Sequence, residues 1–114
     1  MQIKYGYHGV DISNDEVSTM CGEGWRSIIS QLIIDLFDLG WDGALLQIKE
    51  KWGELRFYIG TGSDAVYDRI DEAERLSRET CIVCGAKGQV VCEYGWYQPL
   101  CEKHIKHESE ECNL

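Results

Sequence analysis

The feature that most constrains the fold lies in the last third of the chain. It consists of two closely spaced pairs of residues that commonly bind metal ions. Cys81 and Cys84 form the first pair, and Cys101 and His104 form the second after sixteen intervening residues. Paired sulfur and imidazole donors at this spacing are typical of a tetrahedral Cys3His zinc site. Gly85 follows the first pair, where a knuckle turn needs an unhindered backbone. The spacing therefore predicts one Zn²⁺ ion bound by these four side chains.

Two further donors compete for places in the predicted site. His107 lies one helical turn after His104, and Cys92 lies between the two pairs. The short C-x2-H spacing favours His104, and Cys92 would break the paired geometry, so we expect Cys92 to be a packed core thiol. On sequence alone, His107 and Cys92 stay open as alternative ligands.

The cellular setting that the sequence predicts also favours metal binding. The opening residues lack both the basic leader and the apolar segment of a secretory signal, and polar residues interrupt the most apolar stretch, residues 28–39. We therefore expect a cytoplasmic protein without a membrane span. In a reducing compartment, the six cysteines are expected to be ligands or buried thiols rather than disulfides.

The predicted zinc ion is expected to be structural. Four protein ligands close its coordination sphere, whereas a catalytic zinc ion keeps one position for water. The chain also lacks the H-x-E step of the zinc deaminases before its first cysteine pair, and it lacks an H-E-x-x-H motif. We therefore expect no catalytic residues, and metal-dependent nucleic-acid chemistry is the least favoured function.

Hydrophobic periodicity predicts helices in the first two thirds of the chain. Ser13 and Glu16 have the spacing of a capping box and predict a short helix. Apolar residues recur at helical spacing over residues 25–37, and Gly40 and Trp41 suit the end of that main helix. A second, more solvated helix is expected after Ser63, with one stripe formed by Val66, Ile70, Ala73 and Ser77.

Two β-hairpins are predicted as well. Residues 44–60 contain two strand-like runs around a turn near residues 51–53, and the second hairpin pairs residues 89–93 with 96–100. In the first hairpin, alternation predicts that the following residues pack on the helix: Leu46, Ile48, Leu55, Phe57 and Ile59.

These elements predict an α+β fold. A helix-packed antiparallel hairpin is followed by a small module that resembles a treble clef or zinc ribbon. At 114 residues the chain is expected to form one compact unit. Residues 1–79 form its α+β core, and residues 80–114 form a zinc module continuous with that core.

The charge of the chain narrows the possible partners. A net charge of -9 disfavours non-specific nucleic-acid binding, which depends on neutralising phosphates. Within this acidic background, the outer face of the first hairpin carries a basic and aromatic cluster, formed by Lys49, Lys51, Arg56 and Tyr58. One interpretation is a site for a small anionic nucleotide, with Arg56 as the phosphate donor and Tyr58 as a stacking surface. The other is an ordinary solvated sheet face.

The aromatic residues are divided between core and surface. Trp25, Trp41 and Trp52 are expected to build the core. Trp96 and Tyr97 lie in the zinc hairpin, where they either anchor a protein partner or pack across the small zinc core.

Several of these segments together resemble a known class of proteins. The pattern comprises Gly24-Trp25 at a helix start, "KEKWGELRFYI" at residues 49–59, "CIVCG" at 81–85, and "LCEKH" at 100–104. It resembles a class of small zinc-knuckle proteins encoded by phages and prophages. The resemblance implies a phage accessory protein in the cytoplasm of a bacterial host, a category rich in small inhibitors of host enzymes and defence systems.

Two functional hypotheses follow. The first is a non-enzymatic, zinc-stabilised protein that binds and inhibits or redirects a host protein, such as an antiviral defence component, with Trp96 in the interface. The second is a sponge or sensor that captures a small phosphate-bearing signal through Lys49, Lys51 and Arg56.

Overall fold

The computed structural model describes residues 2–105 of the chain and confirms the α+β class. Within these residues the elements are β1 (Ile3–Tyr5), β2 (Val10–Ile12), α1 (Asn14–Ser18), α2 (Arg26–Asp38), β3 (Ala44–Lys51), β4 (Glu54–Ile59), α3 (Asp64–Ser77), β5 (Gln89–Glu93) and β6 (Trp96–Leu100). A short 3₁₀ turn, Glu23–Trp25, leads into α2. No helix within residues 2–105 is long and apolar enough to cross a lipid bilayer.

Strands β1 to β4 form one sheet in the order β2-β1-β3-β4. β1 is antiparallel to β2 but parallel to β3. The sequence did not predict β1 and β2, because three-residue strands are too short to show a clear alternation of apolar and polar residues. This hairpin doubles the predicted two-stranded sheet and gives the main helix a wider surface.

Helix α2 is the main core helix, as predicted. Its apolar stripe is buried, and Gly40 takes a left-handed conformation with φ of 94° just after the helix. The backbone N–H of Trp41 donates to the Leu36 carbonyl at 2.9 Å, and that of Gly40 donates to Phe37 at 3.0 Å. These two bonds form a Schellman motif. The motif returns Trp41 to the core, where its ring lies 5.0 Å from that of Phe37.

The predicted capping box of α1 is confirmed. The Ser13 hydroxyl accepts a hydrogen bond from the Glu16 N–H at 3.1 Å, and the Glu16 carboxylate accepts one from the Ser13 N–H at 3.2 Å. The cap fixes the start of the helix and orients Val17 into the core, where it is fully buried.

The β3–β4 hairpin is confirmed, but the predicted inner face of β3 is wrong at one position. Leu45 is fully buried, whereas Leu46 is half-buried. The pairing register shifts between Leu45 and Gln47. A bulge adds one residue and reverses the alternation, so Leu45 and Ile48 both face the core. Periodicity cannot reveal such an insertion.

The position of Trp52 is a second correction. The sequence predicted a core residue, but Trp52 is 66% exposed. Trp52 and Gly53 form the two-residue turn between β3 and β4, with φ of 57° and 84°. Two successive positive φ values are typical of a type I′ hairpin turn, which points outward from the sheet.

Helix α3 covers the open edge of β4. Its predicted stripe is buried, and Ser63 caps its start by accepting a hydrogen bond from the Val66 N–H. The Ser77 hydroxyl accepts a hydrogen bond from the Leu55 N–H at 2.9 Å, and Glu74 accepts one from the Phe57 N–H at 3.0 Å. Edge strands otherwise present unpaired backbone groups that template aggregation. The helix therefore closes this edge with side chains.

Replacing Ser77 with alanine is expected to destabilise the fold by about 1–3 kcal/mol, because the buried Leu55 N–H loses its acceptor. Denaturant unfolding followed by circular dichroism measures this loss. The matched control is Ser27→Ala on the exposed side of α2, for which we expect a change within about 0.5 kcal/mol. Equal midpoints for the two variants would show that the Ser77 hydroxyl does not stabilise the edge.

Candidate metal centre

The first pair of predicted ligands lies on a tight knuckle between α3 and β5. The Cys81 N–H donates to the Ala86 carbonyl at 2.8 Å, and the Gly85 N–H donates to the Cys81 carbonyl at 2.9 Å. Gly85 has a φ of 83°, a left-handed conformation that glycine adopts at little cost. The turn brings the side chains of Cys81 and Cys84 to the same side of the chain.

The second pair follows β6. The N–H groups of His104 and Ile105 both donate to the Cys101 carbonyl, at 3.0 and 3.1 Å. This single turn places Cys101 and His104 beside each other. His107, the alternative imidazole ligand, lies outside the described residues.

The four predicted ligands converge on one point. Their donor atoms all lie within 4.8 Å of one another. The Sγ atoms of Cys84 and Cys101 are 3.6 Å apart, and the Nδ1 atom of His104 is 3.6 Å from the Sγ of Cys81 and 3.2 Å from that of Cys101. Donors bound to zinc at about 2.0–2.3 Å in a tetrahedron lie about 3.5–3.8 Å apart. The cluster therefore has the size and the chemistry to hold a metal ion.

The structure distinguishes between His104 and Cys92 as candidate ligands. Within residues 2–105 the cluster contains His104 and does not contain Cys92. Cys92 is buried on β5, pairs with Tyr97 across the hairpin and is disulfide-bonded, so the predicted packed thiol is wrong at this position. The choice of the close C-x2-H pair over Cys92 thus agrees with the geometry.

The electrostatics of the thiols favour a bound cation. Burial raises the pKa of Cys81, but backbone N–H groups at Cys101 and Cys84 donate to its sulfur, so that the pKa falls to about 6. For Cys84, hydrogen bonding from the Ala86 N–H lowers the pKa, yet desolvation and the neighbouring sulfurs outweigh it and raise the pKa overall. Adjacent thiolates repel each other, and a divalent cation removes that repulsion.

The knuckle packs directly on the start of α2. The Gly24 N–H donates to the Ile82 carbonyl at 2.8 Å, and the Trp25 indole N–H donates to the Thr80 carbonyl at 3.0 Å. Both Gly24 and Trp25 are buried. The candidate metal centre is thus fixed to the hydrophobic core and is not suspended from a linker.

The basic cluster predicted on the outer face of the first hairpin is assembled on one side of the sheet. Lys49 pairs with Arg56 in the strand register, and the Lys49 ammonium lies 5.9 Å from the centre of the Tyr58 ring. The Arg56 guanidinium donates to the Glu54 carboxylate at 2.9 Å. Lys51 is exposed opposite Glu54. The cations are therefore partly neutralised within the chain, and their use as an anion site stays a prediction.

Sequence reasoning singled out Trp96 and Tyr97 but missed that Trp52 joins them in an aromatic cluster between the two hairpins. Trp96 is 63% exposed at the start of β6. Trp52 lies on the turn of the other hairpin, and its ring centre is 5.5 Å from that of Tyr97 in an edge-on arrangement. We call Trp52, Trp96 and Tyr97 the hairpin-turn cluster. The Trp-Gly pair at a two-residue turn was the available signal that Trp52 points outward.

Comparison of the chain with protein-family profiles, with curated proteins and with solved structures finds no match.

Proposed function

We propose that this chain is a non-enzymatic binding protein with a structural Zn²⁺ ion in a treble-clef or zinc-ribbon-like module. Cys81, Cys84, Cys101 and His104 supply four protein donors, which complete a tetrahedral coordination sphere. A complete sphere supports a role in holding the chain, because Lewis-acid chemistry needs a position for water or substrate. The ion holds the knuckle, the β5–β6 hairpin and the start of α2 in one arrangement.

The observation that carries the binding function is the exposure of two tryptophans at neighbouring hairpin ends, Trp52 on one turn and Trp96 directly after the other. Trp52 and Trp96 are each more than 60% exposed, although burying such side chains is strongly favourable. Tryptophan and tyrosine are the side chains most enriched among residues that dominate protein interfaces. The contact between Trp52 and Tyr97 orders this surface before binding, which lowers the entropic cost of association.

The class of partner follows from charge and from the resemblance to phage proteins. A net charge of -9 speeds association with basic surfaces and opposes binding to phosphate backbones. The partner that fits best is a protein in the cytoplasm of a bacterial host. We expect the chain to inhibit or redirect that protein, and an antiviral defence component is the favoured candidate. This part of the proposal rests on the resemblance alone.

Replacing Trp96 with alanine is expected to weaken partner binding about thirtyfold, as removal of an interface hot spot of about 2 kcal/mol does. The zinc-loaded protein is immobilised and exposed to host lysate, and partners retained at one-to-one stoichiometry are identified by mass spectrometry. Affinity for the purified partner is then measured by calorimetry. Thermal unfolding is expected to be nearly unchanged, because Trp96 is largely exposed.

The matched control is Tyr7→Ala. Tyr7 is 92% exposed on the turn between β1 and β2, an aromatic residue in a comparable position outside the hairpin-turn cluster. Retention of the partner by Tyr7→Ala but not by Trp96→Ala supports the proposal. Equal retention by both variants contradicts it, as does release of a bound nucleotide from the heat-denatured protein in place of a protein partner.

A further inference from the structure

A small cavity lies between the two hairpin turns. Its volume is about 220 Å3, and it is lined by Glu50, Lys51, Trp52, Gly95, Trp96 and Tyr97. Pockets for drug-sized ligands usually enclose about 300–1,000 Å3. The cavity is therefore suited to one protruding side chain rather than to a nucleotide.

The walls of this cavity have the chemistry of a cation site. The three residues of the hairpin-turn cluster belong to the lining, and aromatic side chains attract a guanidinium or ammonium group. Glu50 supplies a carboxylate, and its Oε2 atom accepts a hydrogen bond from the Gly53 N–H at 2.7 Å. That bond fixes the acidic group in the wall, so that a ligand cation meets an aromatic face and a negative charge together.

One cation of the chain itself borders the cavity. Lys51 is exposed and belongs to the lining. Among residues 2–105, however, the ammonium that lies over an aromatic ring is that of Lys49, which faces Tyr58 on the outer face of the sheet. Lys51 therefore offsets part of the Glu50 charge and competes with a ligand cation for that carboxylate.

We propose that this cavity receives one arginine or lysine side chain of the protein partner. The inference rests on the proposed function. It adds the chemical group that the aromatic surface recognises on the partner. Charge complementarity identifies the occupant, because Glu50 lies in the wall and the whole chain carries a net charge of -9. Arginine is the better fit, since its planar group stacks on aromatic faces and pairs with a carboxylate in a forked geometry.

Titration of the ¹⁵N-labelled, zinc-loaded protein with blocked arginine, Nα-acetyl-arginine methylamide, tests this inference. The indole N–H signals of Trp52 and Trp96 are expected to shift and to approach saturation only above roughly tens of millimolar arginine, because a single cation–π contact is weak. Signals of the buried Trp25 and Trp41 serve as internal controls and are expected to stay unchanged.

Matched probes and variants separate charge from shape. Blocked citrulline has nearly the same shape as blocked arginine but no charge, and it is expected to bind at least fivefold more weakly. Glu50→Gln can still accept the bond from Gly53 and is expected to weaken arginine binding about five- to tenfold. Glu72→Gln, an exposed acid on α3, is expected to leave it unchanged.

Three results would overturn the inference: equal shifts with arginine and citrulline, no shift with either, or shifts of the two indoles with inorganic phosphate in place of arginine. The capture experiment with Trp96→Ala tests the proposed function separately from this inference. If Trp96→Ala still abolishes partner capture, the protein-binding surface stands and only its preference for a cation is wrong. If Trp96→Ala retains the partner while arginine binds the cavity, the proposed interface is wrong and the cation site stands.

Discussion

Removing the metal ion is expected to unfold residues 80–105 and to lower the melting temperature of the whole chain by more than 20 °C. Structural zinc in small finger peptides contributes about 10–16 kcal/mol of apparent binding free energy at neutral pH. Typical domains have about 5–15 kcal/mol of total stability. The effect should spread beyond the zinc module, because Gly24 and Trp25 at the start of α2 are hydrogen-bonded to the knuckle.

Native mass spectrometry and thermal unfolding check this expectation. The purified protein should carry one zinc ion, and a strong chelator should remove it with loss of near-ultraviolet circular dichroism. Cys101→Ser should abolish retention of the ion. Protein that is free of metal and has an unchanged melting temperature would contradict the structural role of the centre.

Cys21→Ser is the matched control for the ligand variant. Cys21 is half-buried near the core, but its thiol is not part of the candidate metal centre. Burial, and then the nearby Glu50 carboxylate, raise the pKa of Cys21 to about 11, so this thiol stays protonated at neutral pH. We expect Cys21→Ser to retain one zinc ion and to lose at most about 2 kcal/mol of stability.

The elements that the sequence predicted well are those whose signals are local. The four candidate metal ligands are recognisable because each pair spans four residues, and helix α3 because its stripe and Ser63 cap lie within fifteen residues. The end of α2 was predictable for the same reason, since Gly40 and Trp41 directly follow the helix. In each case one short segment contains both the signal and its physical cause.

The features that were missed depend on distant partners. β1 is held by a parallel pairing with β3, about forty residues away, and its own three residues carry little pattern. The bulge at Leu46 depends on how β3 fits β4 and not on the composition of β3. Trp52 was placed in the core because large aromatic residues are usually buried, yet its turn conformation points it outward. The hairpin-turn cluster was missed because its members come from two hairpins.

Gly24→Ala is expected to be among the most damaging single substitutions outside the candidate metal ligands. A Cβ atom at this position would lie 2.0 Å from the Cys81 carbonyl oxygen and 2.5 Å from the Ile82 carbonyl carbon. Both are backbone atoms of the knuckle, so no side-chain rotation relieves the overlap. The start of α2 and the knuckle must separate, and we expect a loss of at least about 3 kcal/mol.

The position of the overlap gives this prediction a second readout. Displacement of the Cys81 backbone moves a ligand, so Gly24→Ala should lose zinc to a colorimetric chelator faster than the unmodified protein. Gly60→Ala is the control, because its new Cβ would meet the Ala44 Cβ at an ordinary 3.5 Å. We expect that variant to match the unmodified protein within about 0.5 kcal/mol and in zinc retention.

Trp25→Phe provides a milder test of the same contact if Gly24→Ala does not fold. Phenylalanine keeps most of the buried ring but loses the indole N–H, which leaves the Thr80 carbonyl without that donor. A loss of about 1–3 kcal/mol together with faster release of zinc is expected. A loss of stability without any change in zinc release would mean that the core and the metal centre are energetically independent, and the ion would then hold only its own module together.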